Sequence, residues 1–154
     1  MWIQDGDTSG TLEWGPALSY CNNLDHAGYD DWRLPNIKEL QSLINFEIDG
    51  NNTWLNSQGF IDVQAYEYWS GTTYGYDTSY ARIVDMGSDV VLRAEDKTYS
   101  YYVLAVRTDT DGTISLPKTG QTTSYAEGDD GDLQKGVEWP GERFVDNGDN
   151  TISD

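Results

Sequence analysis

An α+β domain, with two helices packed on an antiparallel sheet and a β-hairpin at the C-terminus completing it, is what this 154-residue sequence predicts. Three observations carry that reading. Between residues 11 and 44 the apolar residues recur at helical spacing. From Tyr66 onward the pattern changes to short runs of β-branched and aromatic residues. Helical segments come first and strands later, which favours helices laid against an antiparallel sheet. The length suits one domain, able to bury roughly two-thirds of its unfolded surface.

Residues 1–5, led by Met1, Trp2 and Ile3, read as a strand, and Asp5-Gly6-Asp7-Thr8-Ser9-Gly10 as a turn or loop. Thr11 to Leu24 reads as the first helix. Trp14, Ala17, Leu18, Cys21 and Leu24 share one face, which makes Cys21 a buried thiol. Thr11 is the expected N-cap, Glu13 lies in the first turn, and Pro16 is tolerated because it comes early. His26-Ala27-Gly28 puts a glycine where a helix C-cap needs one, with His26 near the negative end of the dipole. A second helix follows Trp32-Arg33-Leu34-Pro35. Asn36 and Glu39 have capping-box spacing, and Ile37, Leu40, Leu43 and Ile44 form the apolar stripe. Residues 45–65 lack periodicity, contain Gly50-Asn51-Asn52, and read as loop with room for one short turn.

Four strands follow. They are Tyr68–Thr73, Tyr80–Met86 (closed by Gly87-Ser88-Asp89), Val90–Ala94 and Tyr101–Arg107. The core domain thus spans residues 1–108. Residues 109–142 are rich in Thr, Gly, Asp and Pro with hardly an apolar run, and read as a linker or a long surface excursion. Residues 143–154 read as a β-hairpin turning at Asn147-Gly148.

Composition narrows the function. Nine Lys+Arg against 27 Asp+Glu give a net charge of −18. Phosphate backbones need clustered Lys and Arg, so nucleic acid is excluded as a partner, as are anionic lipids and sulfated glycans except at a local patch. No apolar run approaches the roughly 18 residues of a membrane span. The opening Met1–Asp7 has neither a basic nor an apolar stretch, so no signal peptide is expected there. One Cys and one His leave no internal disulfide, no Cys/His zinc site and no Cys–His dyad. Scarce Lys with abundant Tyr, Trp, Gly, Asp, Asn, Ser and Thr is an extracellular style of composition.

One block has no explanation in periodicity. Gly28-Tyr29, then Asp31-Trp32-Arg33-Leu34-Pro35-Asn36, then Lys38-Glu39-Leu40 and Ser42-Leu43 follow the helix motif of Trp14, Ala17, Tyr20, Cys21 and Leu24. With Tyr68-Trp69-Ser70 and the closing Val103, Ala105, Val106 and Arg107, this resembles the Lcl C-terminal domain family over about residues 1–107. The resemblance implies a bacterial cell-surface adhesin module with a C-type-lectin-like fold. It also implies a permutation, because the family's domain usually opens with a segment like Arg143–Asp154, which here lies at the C-terminus. Two readings follow: one period cut from a tandem array, or a subunit whose C-terminal hairpin completes its own or a neighbouring domain. A sheet lacking that hairpin leaves an open edge beside Met1, Trp2 and Ile3, and open edges recruit strands. Phe144, Val145 and Ile152 are the apolar residues that the hairpin would bring to such an interface.

The other singled-out residues are weighed against plainer roles. Trp32 and Trp69 are core fillers, Arg33 pairs with a buried acid or carbonyls, and Glu39 and Arg107 join its network. Tyr74, Tyr76, Tyr80, Tyr99, Tyr101 and Tyr102 are dense enough that some must face out. Tyr74, Tyr76, Asp77 and Tyr80 form the expected ligand loop for a glycan or protein. Leu116-Pro117-Lys118-Thr119-Gly120 matches a cell-wall sorting pattern but lacks the apolar segment that should follow. Asn51-Asn52-Thr53 is a glycosylation sequon. Asp109-x-Asp111-Gly112, Asp129-Asp130-Gly131-Asp132 and Asp146-Asn147-Gly148-Asp149 offer oxygens to calcium, although Asp and Asn are also simply good turn formers. No cofactor is expected. Nothing marks out a nucleophile or an acid/base pair, so the reading is non-enzymatic. It is an extracellular surface module, a repeat or subunit of an adhesin or filament built by strand complementation. The alternative is a lectin-like binder.

Overall fold

The structure is a computed structural model that describes residues 1–88, 93–108, 116–138, 145–148 and 151–153. Helix α1, Trp14–Asn22, buries Trp14, Ala17, Leu18 and Cys21 on one face. It begins later than its periodicity suggests. Leu12 and Tyr101 exchange backbone hydrogen bonds of 2.9 and 3.0 Å, so Thr11 cannot cap, and Glu13 takes the N-cap position without a side-chain bond. The helix also ends before Gly28. His26 and Tyr29 exchange two backbone bonds of 3.0 and 3.1 Å across Ala27 (φ 56°) and Gly28 (φ 80°). Both central residues are left-handed, as a two-residue hairpin turn requires. Gly28 therefore serves that turn instead of a helix cap, and His26 stands in it.

Helix α2, Ile37–Gln41, has the complete capping box. The Asn36 side chain accepts from the Glu39 N–H at 3.0 Å, and the Glu39 carboxylate accepts from the Asn36 N–H at 2.9 Å. Leu40 is fully buried, while Leu43 and Ile44 lie beyond the helix in turns that pack on the same core. Helix α3, Asn51–Ser57, stands where the sequence reads as loop. Its Asn-Asn-Thr start is poor helix material. Tertiary contacts hold it: Asn52 N–H donates to the Met86 carbonyl at 2.8 Å, and Leu55 is buried.

Strands β1 (Glu67–Thr73), β2 (Tyr80–Asp85) and β3 (Arg93–Asp96) form an antiparallel sheet in that order. Tyr68 faces Val84 and Trp69 faces Ile83, with an irregularity before Thr73 meets Ala81. Of the third expected strand, residues 90–92 lie outside the described residues, and the ladder runs from Arg93 to Asp96. The fourth expected strand is not one. Tyr101–Arg107 makes single bridges to different segments: Tyr101 to Leu12, Tyr102 to Tyr68, and Val106 to both Trp2 and Arg33. Val103, Leu104, Ala105 and Val106 are all buried, so the segment threads the interior without a ladder partner.

A short helix α4, Asp130–Leu133, falls inside the segment read as linker or excursion. Strands β4 (Val145–Asp146) and β5 (Ile152–Ser153) pair antiparallel as a separate two-stranded sheet. Phe144, Arg143 and Asp149 lie outside the described residues. The result is a small α+β fold. Its core gathers Trp69, Tyr68, Leu18, Leu40, Leu55, Ile83, Met86 and Leu104 between the three-stranded sheet and the short helices.

Candidate functional site

Three surfaces carry the chemistry of this fold. The first is an edge. Ile3 N–H donates to the Ala105 carbonyl and Arg107 N–H to the Met1 carbonyl, both at 2.9 Å, which sets Trp2 opposite Val106. In such a pair the N–H and C=O of Trp2 turn outward. They have no hydrogen-bond partner among the described residues. On its far side Val106 exchanges bonds of 2.9 Å with Arg33. Trp2 thus forms the open edge of a small three-segment pairing.

That edge lines a cleft of about 880 Å3, with Val106, Leu116 and Val137 among its walls. Beneath it lies the charged frame of the motif. Arg33 and Glu39 pair through two bonds of 2.7 Å, and Arg33 is 6% exposed. The Arg33 Nε is buried without a hydrogen-bond partner. Arg107 pairs instead with Asp31, Nε to Oδ1 at 2.7 Å, and lies 3.7 Å over the Tyr29 ring. The Arg107 hydrogen bond holds the Asp31 carboxyl below its ordinary range. Two separate pairs replace the single network expected of Arg33, Glu39 and Arg107. Trp32 and Trp69 are buried, and their indole N–H groups donate to the carbonyls of His26 (3.2 Å) and Leu12 (2.8 Å). Cys21 is fully buried, and burial pushes its thiol up to about 12.

The second surface is the strap, residues 116–138, which closes the cleft and packs α4 against β1. Its attachments are polar. The Asp130 carboxylate accepts from the Thr72 and Thr119 hydroxyls, both at 2.7 Å. The Gln121 side chain pairs both ways with the backbone of Thr73, at 3.0 and 2.9 Å. Lys38 Nζ donates to the Lys118 carbonyl at 2.6 Å. Asp129, fully buried, accepts from the backbone N–H groups of Tyr125, Ala126 and Asp132. Burial pushes the Asp130 carboxyl above its ordinary value. The Asp129–Asp132 turn therefore spends its oxygens on the chain itself. No group of three or more His, Cys, Asp or Glu residues among the described residues is placed to hold a metal ion. Asp109, Asp111 and Asp149 of the other two acidic turns lie outside the described residues. Leu116–Gly120 is woven into this strap, since Val137 and the Leu116 and Lys118 backbones exchange bonds of 2.8 and 2.9 Å.

The third surface is the loop joining β1 to β2. Tyr74 and Tyr76 set their rings 6.2 Å apart, tilted by 41°, and the Arg82 guanidinium sits 4.4 Å over Tyr74. Tyr76 is 92% exposed. Asp77 shapes the loop: its Oδ1 accepts from the N–H and hydroxyl of Ser79, the hydroxyl bond being the main reason its carboxyl is held below its ordinary range. Tyr80 opens β2, its N–H donating to the Asp77 carbonyl and its carbonyl accepting from Tyr74. Of the remaining tyrosines, Tyr99 is exposed, Tyr101 buried and Tyr102 half-buried. The sequon is closed in this fold, because Asn51 is 1% exposed and its side-chain oxygen accepts from the Asn45 N–H.

Sequence reasoning missed the strap's role. Its signal was a spacing of Thr, Gln and paired Asp that binds backbone, with no apolar period to reveal it. No helix among the described residues is long and apolar enough to cross a membrane. The model of the Lcl C-terminal domain family matches residues 1–107, ending just before the strap. None of the curated proteins matches the sequence.

Proposed function

We propose a function from one premise: the chain belongs to the Lcl C-terminal domain family, matched over residues 1–107, and is therefore a surface-associated module. On this reading it is a non-enzymatic, extracellular building block of a bacterial adhesin or filament. Copies or adjacent repeats join by strand complementation, the C-terminal segment Arg143–Asp154 of one adding to the open edge at Met1–Ile3 of the next. The observation that carries the reading is the Trp2 backbone. Its N–H and C=O face outward beside the cleft, while among the described residues β4 and β5 pair with each other in a separate two-stranded sheet. An edge with free donors and acceptors is a template for another strand.

The test is light scattering on the size-fractionated chain. Assembly above the 17.3 kDa monomer is expected, and Trp2→Pro should abolish it by removing the outward donor. A monomer at every concentration would sink the reading. A second reading is favoured by the Tyr74–Tyr76 pair, whose exposed ring offers a rigid contact face to a glycan or protein ligand. Tyr76→Ala should then abolish ligand capture while leaving assembly intact.

A further inference from the structure

The cleft beside the Trp2 edge inverts the charge of the molecule. The chain as a whole carries 27 acids against 9 cations. Among the described residues that line the cleft, four are cations (Arg33, Arg107, Lys118 and Lys135) and two are acids (Glu39 and Glu138). Nearly half of all the cations thus gather at one place, in a chain of net charge −18. Three of them are held by acids: Arg33 by Glu39, Arg107 by Asp31 and Lys118 by Glu138. Lys135 is exposed, and its ammonium has no hydrogen bond or ion pair among the described residues. Apolar surface lies beside the cations, with Val106 and Leu116 in the walls and Val137 49% exposed. Residues 143–154 have the complementary make-up. They carry three Asp against one Arg, interspersed with the apolar Phe144, Val145 and Ile152. Among the described residues β4 and β5 make a two-stranded sheet, so each has one edge left for a further strand.

We propose that the cleft is a charge-selective receptor for residues 143–154 of a second copy, whose Asp residues enter among its cations while a strand lies along Trp2. The inference rests on the assembly reading above and adds what selects the incoming segment. Two copies of net charge −18 repel, so association needs a place where the sign is reversed. At about 0.15 M salt the Debye length is about 8 Å. A segment within the cleft therefore feels its cations and little of the acidic surface beyond. The Trp2 backbone supplies register, the apolar walls supply burial and the cations supply choice of partner. A nucleic-acid strand would carry its phosphates past the cleft onto that acidic surface. An apolar peptide would gain nothing from the cations.

The test is a charge swap between two variants of the full chain, read by light scattering. One reverses the donor, Asp146→Lys with Asp149→Lys. The other reverses the acceptor, Thr108→Glu with Lys135→Glu. Thr108 and Lys135 line the cleft, are exposed and make no side-chain hydrogen bond among the described residues, so Tm should be unchanged. Each variant alone should need at least about tenfold more protein than the natural sequence to assemble. Mixed in equal amounts they should return to within about threefold of it, because each then offers the other a matched segment and cleft. The free peptide 143–154 should inhibit assembly of the natural sequence, and an oligonucleotide of equal length should not. Assembly that fails with Trp2→Pro yet ignores both reversals would overturn the charge selection and leave the edge reading standing. Variants of unchanged Tm that stay weak when mixed would overturn it too, as would inhibition by the oligonucleotide and not the peptide. A natural sequence that is monomeric at every concentration would sink both readings together.

Discussion

The core and the strap both press on β1, but different forces hold them there. In residues 1–107 the buried bulk is apolar. Its buried Trp14, Trp32, Tyr68 and Trp69 give their polar hydrogens to backbone carbonyls, Trp14 Nε1–H to Ser70 (2.9 Å) and the Tyr68 hydroxyl to Gly6 (2.9 Å) among them. In residues 116–138 the buried side chains are the carboxyls of Asp129 and Asp130, and the contact with β1 is made by hydroxyls, an amide and backbone. Apolar burial is non-directional and nearly indifferent to pH. A polar clamp is directional and depends on protonation. The core is therefore expected to unfold as a unit, and the strap to release alone.

The largest effect expected is in the core. Trp69→Ala empties a fully buried site and removes one of the two hydrogen bonds that the Leu12 carbonyl accepts, costing about 4 kcal/mol, readable as a drop in Tm of the whole domain. A loss under about 1 kcal/mol would mean that the Trp69 site collapses freely and is not the centre of the core. Next comes Glu39→Gln. It leaves Arg33 charged and buried, with Nε already unpartnered, and should cost about 3 kcal/mol in denaturant unfolding. The double change Arg33→Met with Glu39→Leu should recover most of it. Failure to recover would show that the pair's geometry, more than its charge, holds α2.

In the strap the expected loss is smaller and local. A Cβ on Gly131 would sit 2.0 Å from the Thr123 carbonyl oxygen and 2.5 Å from its carbon, and backbone cannot yield as a side chain can. Gly131→Ala should cost roughly 2 kcal/mol by overpacking. Hydrogen exchange should lose protection across residues 116–138 while the amides of Ile83 and Val84 keep theirs. Equal losses in both regions would make core and strap one cooperative unit and erase the contrast.

The same contrast explains what the sequence revealed. The capping box of α2 is legible because Asn36 and Glu39 act across three residues, and β1 and β2 are legible because runs of aromatic and β-branched residues mark them. Helix α3 is not, since Asn51, Asn52 and Thr53 are weak helix formers held by Met86 and Asn45, remote or irregular partners. Tyr101–Arg107 misleads in the opposite sense: its apolar run records burial on all sides, not a ladder. The charged pairs of the motif block were legible as residues but not as partners, because Arg107 meets Asp31 across 76 positions. The strap left no apolar period at all, and the Thr72–Asp130–Thr119 clamp joins residues 58 and 11 positions apart.

The finest distinction between the regions is the sign of their pH dependence. Burial raises the Asp130 carboxyl above its ordinary 3.8, and the hydrogen bonds from Thr119 and Thr72 offset this only in part. The docked strap then holds a proton more tightly than the released one. The stability Asp130 contributes is complete below 3.8 and is lost as pH rises through its folded value. Asp31 at the core's rim runs the other way. Its carboxyl is lowered by Arg107, so its contribution is present above 3.8 and lost as pH falls, and exposure keeps it small. Exchange protection of residues 116–138, corrected for intrinsic rates, should therefore weaken as pH rises from 3.8 through the folded value of Asp130 and level off above it. Asp130→Asn keeps an acceptor for both threonines without a charge, so it should flatten that slope and tighten the strap at neutral pH. Asp31→Asn should leave the slope untouched. A slope surviving Asp130→Asn would assign the strap's pH response to another group and leave its clamp purely geometric.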